Sequence, residues 1–153
     1  ERAAHRDSAA QRFVLSYFNR RNIQGSNAFT ADRTTTSASV VELNTEIRSE
    51  FLTWDDEAVS VSICGAYSYT GNLGWIATGL GIDGTTITQQ QDDIANGAND
   101  RLGIGLSVAV SLSRGYHYVT LLGYVQTAGN TATWYSSDAV STSKCRTWVM
   151  IRG

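Results

Sequence analysis

The alternation of apolar and small residues from 102 to 112 constrains the fold of this 153-residue chain more than any other feature. Leucine, isoleucine or valine occupies every second position, and glycine, serine and alanine lie between them. A period of two places all the apolar side chains on one face of an extended strand. The segment therefore predicts a strand with one buried face and one face of small residues.

Similar strand patterns fill the chain from Val40 to its end. Val59, Val61 and Ile63 alternate with serines, whereas residues 116–125 and 146–152 carry large side chains on both faces. Strands of the second kind are typically covered on both sides. Turn residues divide the region into about eight short strands without a helical pattern between them, which predicts an all-β, eight-stranded antiparallel jelly-roll sandwich over residues 40–153.

Residues 1–24 have a different character and predict a short helix. Positions 2–24 contain no glycine, and apolar residues recur at intervals of seven, four and three. This spacing is typical of an a/d seam. The seam residues are Ala3, Ala10, Val14 and Tyr17. Two interpretations stay open: the helix packs on its own domain, or it is the end of a helical stalk shared between chains. Residues 25–39 are predicted to be a linker.

The stretch "GLGIDG" at 79–84 matches the G-x-G-x-x-G pattern of dinucleotide-binding proteins. That function requires a helix that begins at the last glycine. The following residues, "TTITQQQ", are rich in β-branched side chains and predict a strand instead. Asp83-Gly84 is a pair typical of two-residue hairpin turns, so the stretch predicts a β-hairpin and no nucleotide cofactor.

Other chemical motifs are weak. His117 lies between two tyrosines in a predicted strand, and no G-x-S-x-G motif accompanies it. We therefore expect a strand histidine with a hydrogen-bonded ring and no catalytic role. Cys64 and Cys145 are expected to be buried thiols, and the cysteines and histidines lack metal-ligand spacing. No metal, no cofactor and no enzymatic activity are predicted.

Charge and hydropathy exclude two further classes of partner. Charged residues make up 17% of the chain and the net charge is −2, which argues against general nucleic-acid binding. No apolar run approaches the roughly 18 residues of a membrane span, so stable membrane insertion is not expected. Trp134 and Tyr135 lie between a turn and a long polar loop. They are the candidates for stacking on a sugar, which makes a lectin-like binding module the alternative function.

The order of four motifs resembles a known family. "SVSICGAYSYTG", "GLGIDGTT", "LSRGYHYVTLLGYV" and "TWVMIRG" follow one another in the chain. This order resembles the trimeric knob domains that cap phage and viral fibres, whose jelly roll is shared with tumour necrosis factor and complement C1q. Within that group the chain is similar to the C-terminal knob of the tail needle of short-tailed phages. The resemblance spans residues 35–153.

The resemblance implies a non-enzymatic virion protein that forms a homotrimer. Such a protein is assembled in the bacterial cytoplasm and is exposed on the virion tail. As a distal knob it contacts a host cell-surface molecule, a protein or a glycan, and assists envelope penetration and DNA ejection.

The resemblance also implies residue roles, because turns in a jelly roll alternate between the stalk end and the free tip. The residues expected at the tip are Asp55, Asp56, Glu57, Asp83, Arg114, Asp138 and Lys144. Those expected at the trimer interface are Tyr116, Tyr118, Leu122, Tyr124 and Trp148.

Overall fold

The computed structural model describes residues 22–54, 57–71, 74–127, 129–136 and 144–152. These residues form strands, turns and one short 3-10 helix, Thr45–Ile47. The strands are β1 (Asn22–Ala28), β2 (Arg33–Thr35), β3 (Val41–Glu42), β4 (Ser49–Thr53), β5 (Ala58–Tyr69), β6 (Gly74–Ile82), β7 (Ile87–Ala95), β8 (Arg101–Ser111), β9 (Gly115–Val125), β10 (Ala132–Trp134) and β11 (Arg146–Arg152).

The strands form two antiparallel sheets. In sheet A, β5 lies between β11 and β8, β1 pairs with the outer edge of β11, and the short β10 and β2 extend the sheet beside the last residues of β5. In sheet B, β9 lies between β6 and the pair β3 and β4, and β7 forms the far edge. The prediction of an all-β sandwich is confirmed.

The strands of five or more residues divide evenly between the sheets. Their orders are β1-β11-β5-β8 and β4-β9-β6-β7, so successive long strands repeatedly cross from one sheet to the other. This arrangement is consistent with a jelly roll. The predicted helical stalk is not shown, because its seam residues Ala3, Ala10, Val14 and Tyr17 lie outside the described residues.

The core lies between the sheets and follows the predicted alternation. Val61 pairs with Val108 and Ile63 with Leu106, and these side chains point toward sheet B. Leu80, Val119 and Leu121 of sheet B are fully buried against them. Alternate residues of the same strands therefore form the outer faces of the sandwich.

Strand β1 corrects the predicted helix and linker. Asn22 pairs with Arg152 and Ala28 with Arg146, so residues 22–24 are extended rather than helical. Residues 33–35 of the predicted linker also form a strand. The polar β1 sequence carries no strand-like alternation, but its backbone completes the hydrogen bonding of β11, which would otherwise leave an unpaired edge.

Because β1 was not predicted, the loops lie at the opposite ends of the sandwich from those that the sequence predicted. Asn22 and Arg152 lie beside each other at the end where Ala58 pairs with Ser111; we call this the proximal end. Residues 54, 57, 83–86 and 112–114 lie there, although the sequence predicted them at the end opposite the expected stalk. Residues 70, 71, 96–100, 126, 127 and 129–131 lie at the other, distal end, where the Asn99 N–H donates to the Tyr69 carbonyl.

The side chain of Gln91 closes one side of the sandwich. Its Nε2 donates to the Gly103 carbonyl at 2.7 Å, and its Oε1 accepts from the Gly105 N–H at 3.1 Å. Gln91 lies on β7 of sheet B, whereas both glycines lie on β8 of sheet A. The amide therefore satisfies the edge of β8 as a neighbouring strand would.

Among the residues with described positions, no helix is long and apolar enough to cross a membrane.

Candidate functional site: a histidine–aspartate pair and an uncharged sheet face

The "GLGIDG" stretch is a hairpin, as predicted, but its connection is longer. β6 ends at Ile82 and β7 begins at Ile87, so residues 83–86 form a four-residue connection. Asp83 has φ 57° and Gly84 has φ 151°, both in the region that disfavours bulky side chains. The extra length arises because the Asp83 N–H donates to the Tyr118 carbonyl, which keeps residue 83 beside β9.

Asp83 and His117 form a close pair at the proximal end. The His117 Nδ1 lies 2.6 Å from the Asp83 Oδ2, and the His117 Nε2 lies 2.7 Å from the Ser113 carbonyl oxygen. The second carboxylate oxygen of Asp83 accepts from the Tyr118 N–H at 3.0 Å. The pair therefore joins the hairpin, strand β9 and the 112–114 loop.

These contacts favour a protonated ring. Burial lowers the pKa of His117, but the hydrogen bonds to Asp83 and to the Ser113 carbonyl outweigh burial and leave the pKa above its usual value. Both ring nitrogens face an oxygen that can only accept, which requires a proton on each. The prediction of a strand histidine with a hydrogen-bonded ring is confirmed.

The pair does not have the arrangement of a hydrolase triad. The nitrogen remote from Asp83 faces a backbone carbonyl, whereas nucleophilic catalysis requires a hydroxyl or thiol there. Within the described part of the chain, no group of three or more histidine, cysteine, aspartate and glutamate side chains could hold a metal ion. The contacts of His117 therefore connect two loops, and they do not place its ring beside a nucleophile.

The remaining proximal residues are held in place by local contacts. Glu57 is 5% exposed, and its carboxylate accepts from the Trp54 N–H at 2.9 Å. The Arg114 guanidinium lies 4.5 Å from the centre of the Trp54 ring. Glu57 therefore closes its own turn and presents little surface to a partner, which differs from its predicted role at the tip.

The predicted tip residues do not come together. Lys144 lies just before β11 of sheet A, where the Cys145 N–H donates to the Tyr135 carbonyl, whereas Asp83 lies beside β9 of sheet B. The loop that begins there is held by Ser136, whose N–H donates to Asp32. Asp55, Asp56 and Asp138 lie outside the described residues.

The predicted trimer-interface residues occupy opposite faces of the sandwich. Tyr116, Tyr118 and Tyr124 alternate with the buried residues of β9 and lie on the outer face of sheet B. Tyr116 is 54% exposed and pairs with the exposed Leu52. Trp148 lies instead on the outer face of sheet A, where it pairs with Ser62.

Leu122 is not available to a second chain. Its side chain is fully buried, because Ile87 and Leu122 pack together over Gly79, where no side chain intervenes. The prediction of Leu122 at a subunit interface is wrong for this reason.

The central part of the outer face of sheet A carries no charged residue over four neighbouring strands, and Arg146 borders it on β11, where it pairs with Cys64. We call this surface the uncharged face. It consists of Gln24, Ser26, Ser60, Ser62, Ser107, Ala109, Trp148 and Met150. Trp148 and Met150 remain 40% and 38% exposed, although they lie near the centre of the sheet rather than at a rim. The alternation of serine with valine in β5 was the sequence signal for this face.

Trp134 cannot stack on a sugar. It is fully buried, its ring stacks on that of Tyr67, and its Nε1 donates to the Thr78 hydroxyl at 3.0 Å. Tyr135 is also engaged, because its hydroxyl donates to Ser68 and Arg101 lies over its ring. Trp134 is therefore a core residue, and the Tyr135 ring beside it is covered by Arg101, so the two do not form the predicted stacking platform.

The two cysteines are free and lie in different environments. Cys145 is buried as expected, and burial raises the pKa of its thiol to about 12. Cys64 is exposed, which corrects the prediction, because it belongs to the outer face of sheet A.

Comparison with known proteins gives little more than a distant likeness. No protein-family model matches the chain, and no curated protein matches it. A solved structure described as "Structure of infectious bursal disease virus Gx strain" is similar with a TM-score of 0.45 and 7% sequence identity. The likeness covers 87% of this chain and 36% of that viral chain, so this chain spans about a third of its length.

Proposed function

We propose that this chain is a non-enzymatic structural protein of a virion tail, the trimeric knob of a tail needle or fibre. The observation that carries the proposal is the uncharged face of sheet A. Cores of protein interfaces are depleted of charge and enriched in aromatic residues and methionine. Trp148 and Met150 supply the large apolar groups, and the serines and Ala109 around them leave room for a second chain to approach.

A threefold assembly explains why apolar residues occur on two faces. In a cyclic trimer each interface joins two different surfaces of neighbouring subunits. The uncharged face of one protomer supplies one surface. Tyr116, Tyr118 and Leu52 on sheet B are the candidates for the other, since Tyr116 and Leu52 form an exposed cross-strand pair.

The positions of the described chain ends support attachment at one end. Asn22 and Arg152 lie together at the proximal end, so a stalk that joins there leaves the distal loops facing outward. Near those loops, Trp75 and Ile94 form a cross-strand pair with exposed fractions of 51% and 46%. The proposal therefore transfers host contact from the predicted Asp83 end to the distal end, where the partner is a protein or glycan of the host surface.

Light scattering coupled to size exclusion tests the trimer. We expect the wild-type chain to have the mass of three copies, and Trp148→Arg to dissociate it, since the substitution places a charge in an apolar contact. Trp75→Arg is the matched control, because it introduces the same charge at a similarly exposed tryptophan on the other sheet, and it should remain trimeric. A monomeric wild-type protein, or a trimeric Trp148→Arg variant, would contradict the proposed interface.

The virion role is tested separately. Gold-labelled antibodies against the folded protein should mark the tail end of particles that carry it, as seen by electron microscopy. Labelling over the capsid shell alone would contradict a tail location. Particles with Trp75→Ala and Ile94→Ser should adsorb to host cells more slowly than particles with a substitution at the proximal Arg114.

A further inference from the structure

We propose that His117 is a proton-dependent clamp that holds the 83–86 and 112–114 loops together when its ring is protonated and loosens the 112–114 loop when the ring is neutral. This inference is independent of the trimer, because every contact in it lies within one chain. It assigns a regulatory role to the residue pair at the proximal end.

The hydrogen-bonding geometry carries the proposal. A neutral imidazole has one N–H and one bare nitrogen. At His117 a bare nitrogen would face either the Asp83 carboxylate or the Ser113 carbonyl, each within 2.7 Å. A neutral ring can donate to only one of these two oxygens, and its bare nitrogen would then lie against the lone pairs of the other. The observed arrangement therefore requires the imidazolium, which donates to both.

The groups that pack around the His117 ring are neutral except for Asp83, whose negative charge is opposite to that of the protonated ring. From β4, the Phe51 ring lies 5.8 Å from the His117 ring, and Thr53 donates to the same Ser113 carbonyl. The 112–114 loop contributes the Ser113 carbonyl, and the hairpin contributes Asp83. Among the described residues, Asp83 is the charged group whose field acts on the ring. Glu50 lies on the opposite face of sheet B, beside Tyr118.

The two bonds differ in strength, which determines the one that breaks. A hydrogen bond to a carboxylate is stronger than one to a neutral carbonyl. The neutral ring therefore keeps its proton on Nδ1, bound to Asp83, and turns its bare Nε2 toward Ser113. Asp83 also stays attached through its other oxygen to the Tyr118 N–H, so the hairpin holds while the 112–114 loop loosens.

The position of the 112–114 loop determines what its loosening would affect. The 112–114 loop connects β8 to β9, which belong to different sheets, and it lies at the end where Asn22 and Arg152 meet. A looser loop there weakens the link between the sheets at the point where the described chain begins and ends. Rising pH should therefore soften the proximal end before it affects the distal end.

The first experiment is histidine side-chain NMR on the wild-type protein with nitrogen-labelled histidine, titrated from about pH 5 to pH 10. A His5→Gln variant identifies the His117 signals. We expect His117 to titrate above the usual histidine value of about 6.5 and to become the Nδ1–H tautomer on deprotonation. Titration at or below that value, or an Nε2–H tautomer, would overturn the proposal.

Asp83→Asn is the matched variant. Its amide oxygen can still accept from the Tyr118 N–H, while its NH₂ group can donate to a bare Nδ1. The neutral Nε2–H ring then satisfies every partner, so the pKa of His117 should fall below its wild-type value and the tautomer should switch. An unchanged pKa would show that Asp83 does not hold the proton.

Hydrogen exchange of wild-type backbone amides, corrected for intrinsic pH dependence, tests the loosening itself and needs no variant. Protection at residues 112–115 should decrease across the His117 titration, while protection at the distal residues 96–100 stays constant. Equal loss at both ends, or no change at 112–115, would show that the ring is a static contact.

Discussion

A Cβ atom added to Gly123 would lie 2.6 Å from the Trp134 ring, so the strand β9 backbone and the largest buried side chain are in direct contact across the core. Trp134 belongs to sheet A and Gly123 to sheet B. The contact therefore joins the two sheets at full packing density, and it explains why an indole that appeared suited to ligand stacking is inaccessible.

Replacing Trp134 with alanine should strongly destabilise the protein. The change empties a fully buried site and leaves the Thr78 hydroxyl without its indole donor. We expect a loss of about 3–5 kcal/mol in the free energy of unfolding, measured by chemical denaturation. Trp75→Ala removes the same side chain from an exposed position and should cost less than about 1 kcal/mol. Similar losses for both variants would contradict the core position of Trp134.

Gly84 should tolerate no branched side chain. Its φ of 151° is rarely adopted by residues that carry a Cβ, although no atom would obstruct the added carbon. Gly84→Val should therefore cost about 1–3 kcal/mol through backbone strain alone. Gly103→Ala provides the control, because that glycine has equal space and an ordinary φ, and its substitution should be nearly neutral. A stable Gly84→Val protein would refute the turn geometry.

Stability should fall as pH rises through the His117 titration. The pKa of His117 in the folded chain is raised, whereas in the unfolded chain it has its ordinary value of about 6.5. The folded state then holds its proton more tightly, so the contribution is complete below the unfolded pKa and is lost above the folded one. Urea denaturation at a series of pH values should show this decline, and Asp83→Asn should flatten it.

Tyr67 should make the fold sensitive to strongly alkaline solution. Burial, followed by its hydrogen bond to Asp93 at 2.6 Å, raises the pKa of the phenol above its ordinary value. Above about pH 10 the unfolded chain loses this proton and the folded chain keeps it, so stability decreases with pH. The part of the ionised-tyrosine absorbance that is due to the buried Tyr67 should appear together with unfolding, and Tyr67→Phe should remove that part.

Cys145 should react with thiol reagents only when the chain unfolds. Its side chain is buried, burial raises its pKa to about 12, and its Sγ lies against the Ala66 carbonyl. A Cys64→Ser variant isolates this thiol, and its reaction rate should follow the unfolded fraction as denaturant is added. Rapid labelling without denaturant would place Cys145 at the surface.

The sequence predicted the sandwich well because period-two patterns report directly on burial. Strands such as β5 and β8 were recognisable, since each places valine, leucine or isoleucine on one face. Strand β1 was not recognisable, because most of its residues are polar and exposed and it is held by tertiary contacts, mainly its pairing with β11. One overlooked strand changes the direction of every later strand, which is why residues 83–86 and 112–114 lie at the end where Asn22 and Arg152 meet and not at the opposite end.

The candidate site was less predictable for a different reason. Asp83 and His117 are 34 positions apart, and Ser113 contributes a backbone atom that any residue could supply. Contacts of this kind depend on how strands β6 and β9 align, which local patterns do not determine. The burial of Leu122 likewise depends on Ile87, whose side chain crosses a glycine on the intervening strand.

The amide of Gln91 protects the protein against faulty assembly. An exposed strand such as β8, eleven residues long, is a template to which another polypeptide can add, as in amyloid growth. By occupying the Gly103 carbonyl and the Gly105 N–H, Gln91 removes two adjacent hydrogen-bonding groups from that template. Such a seal disfavours edge-to-edge pairing between newly folded molecules.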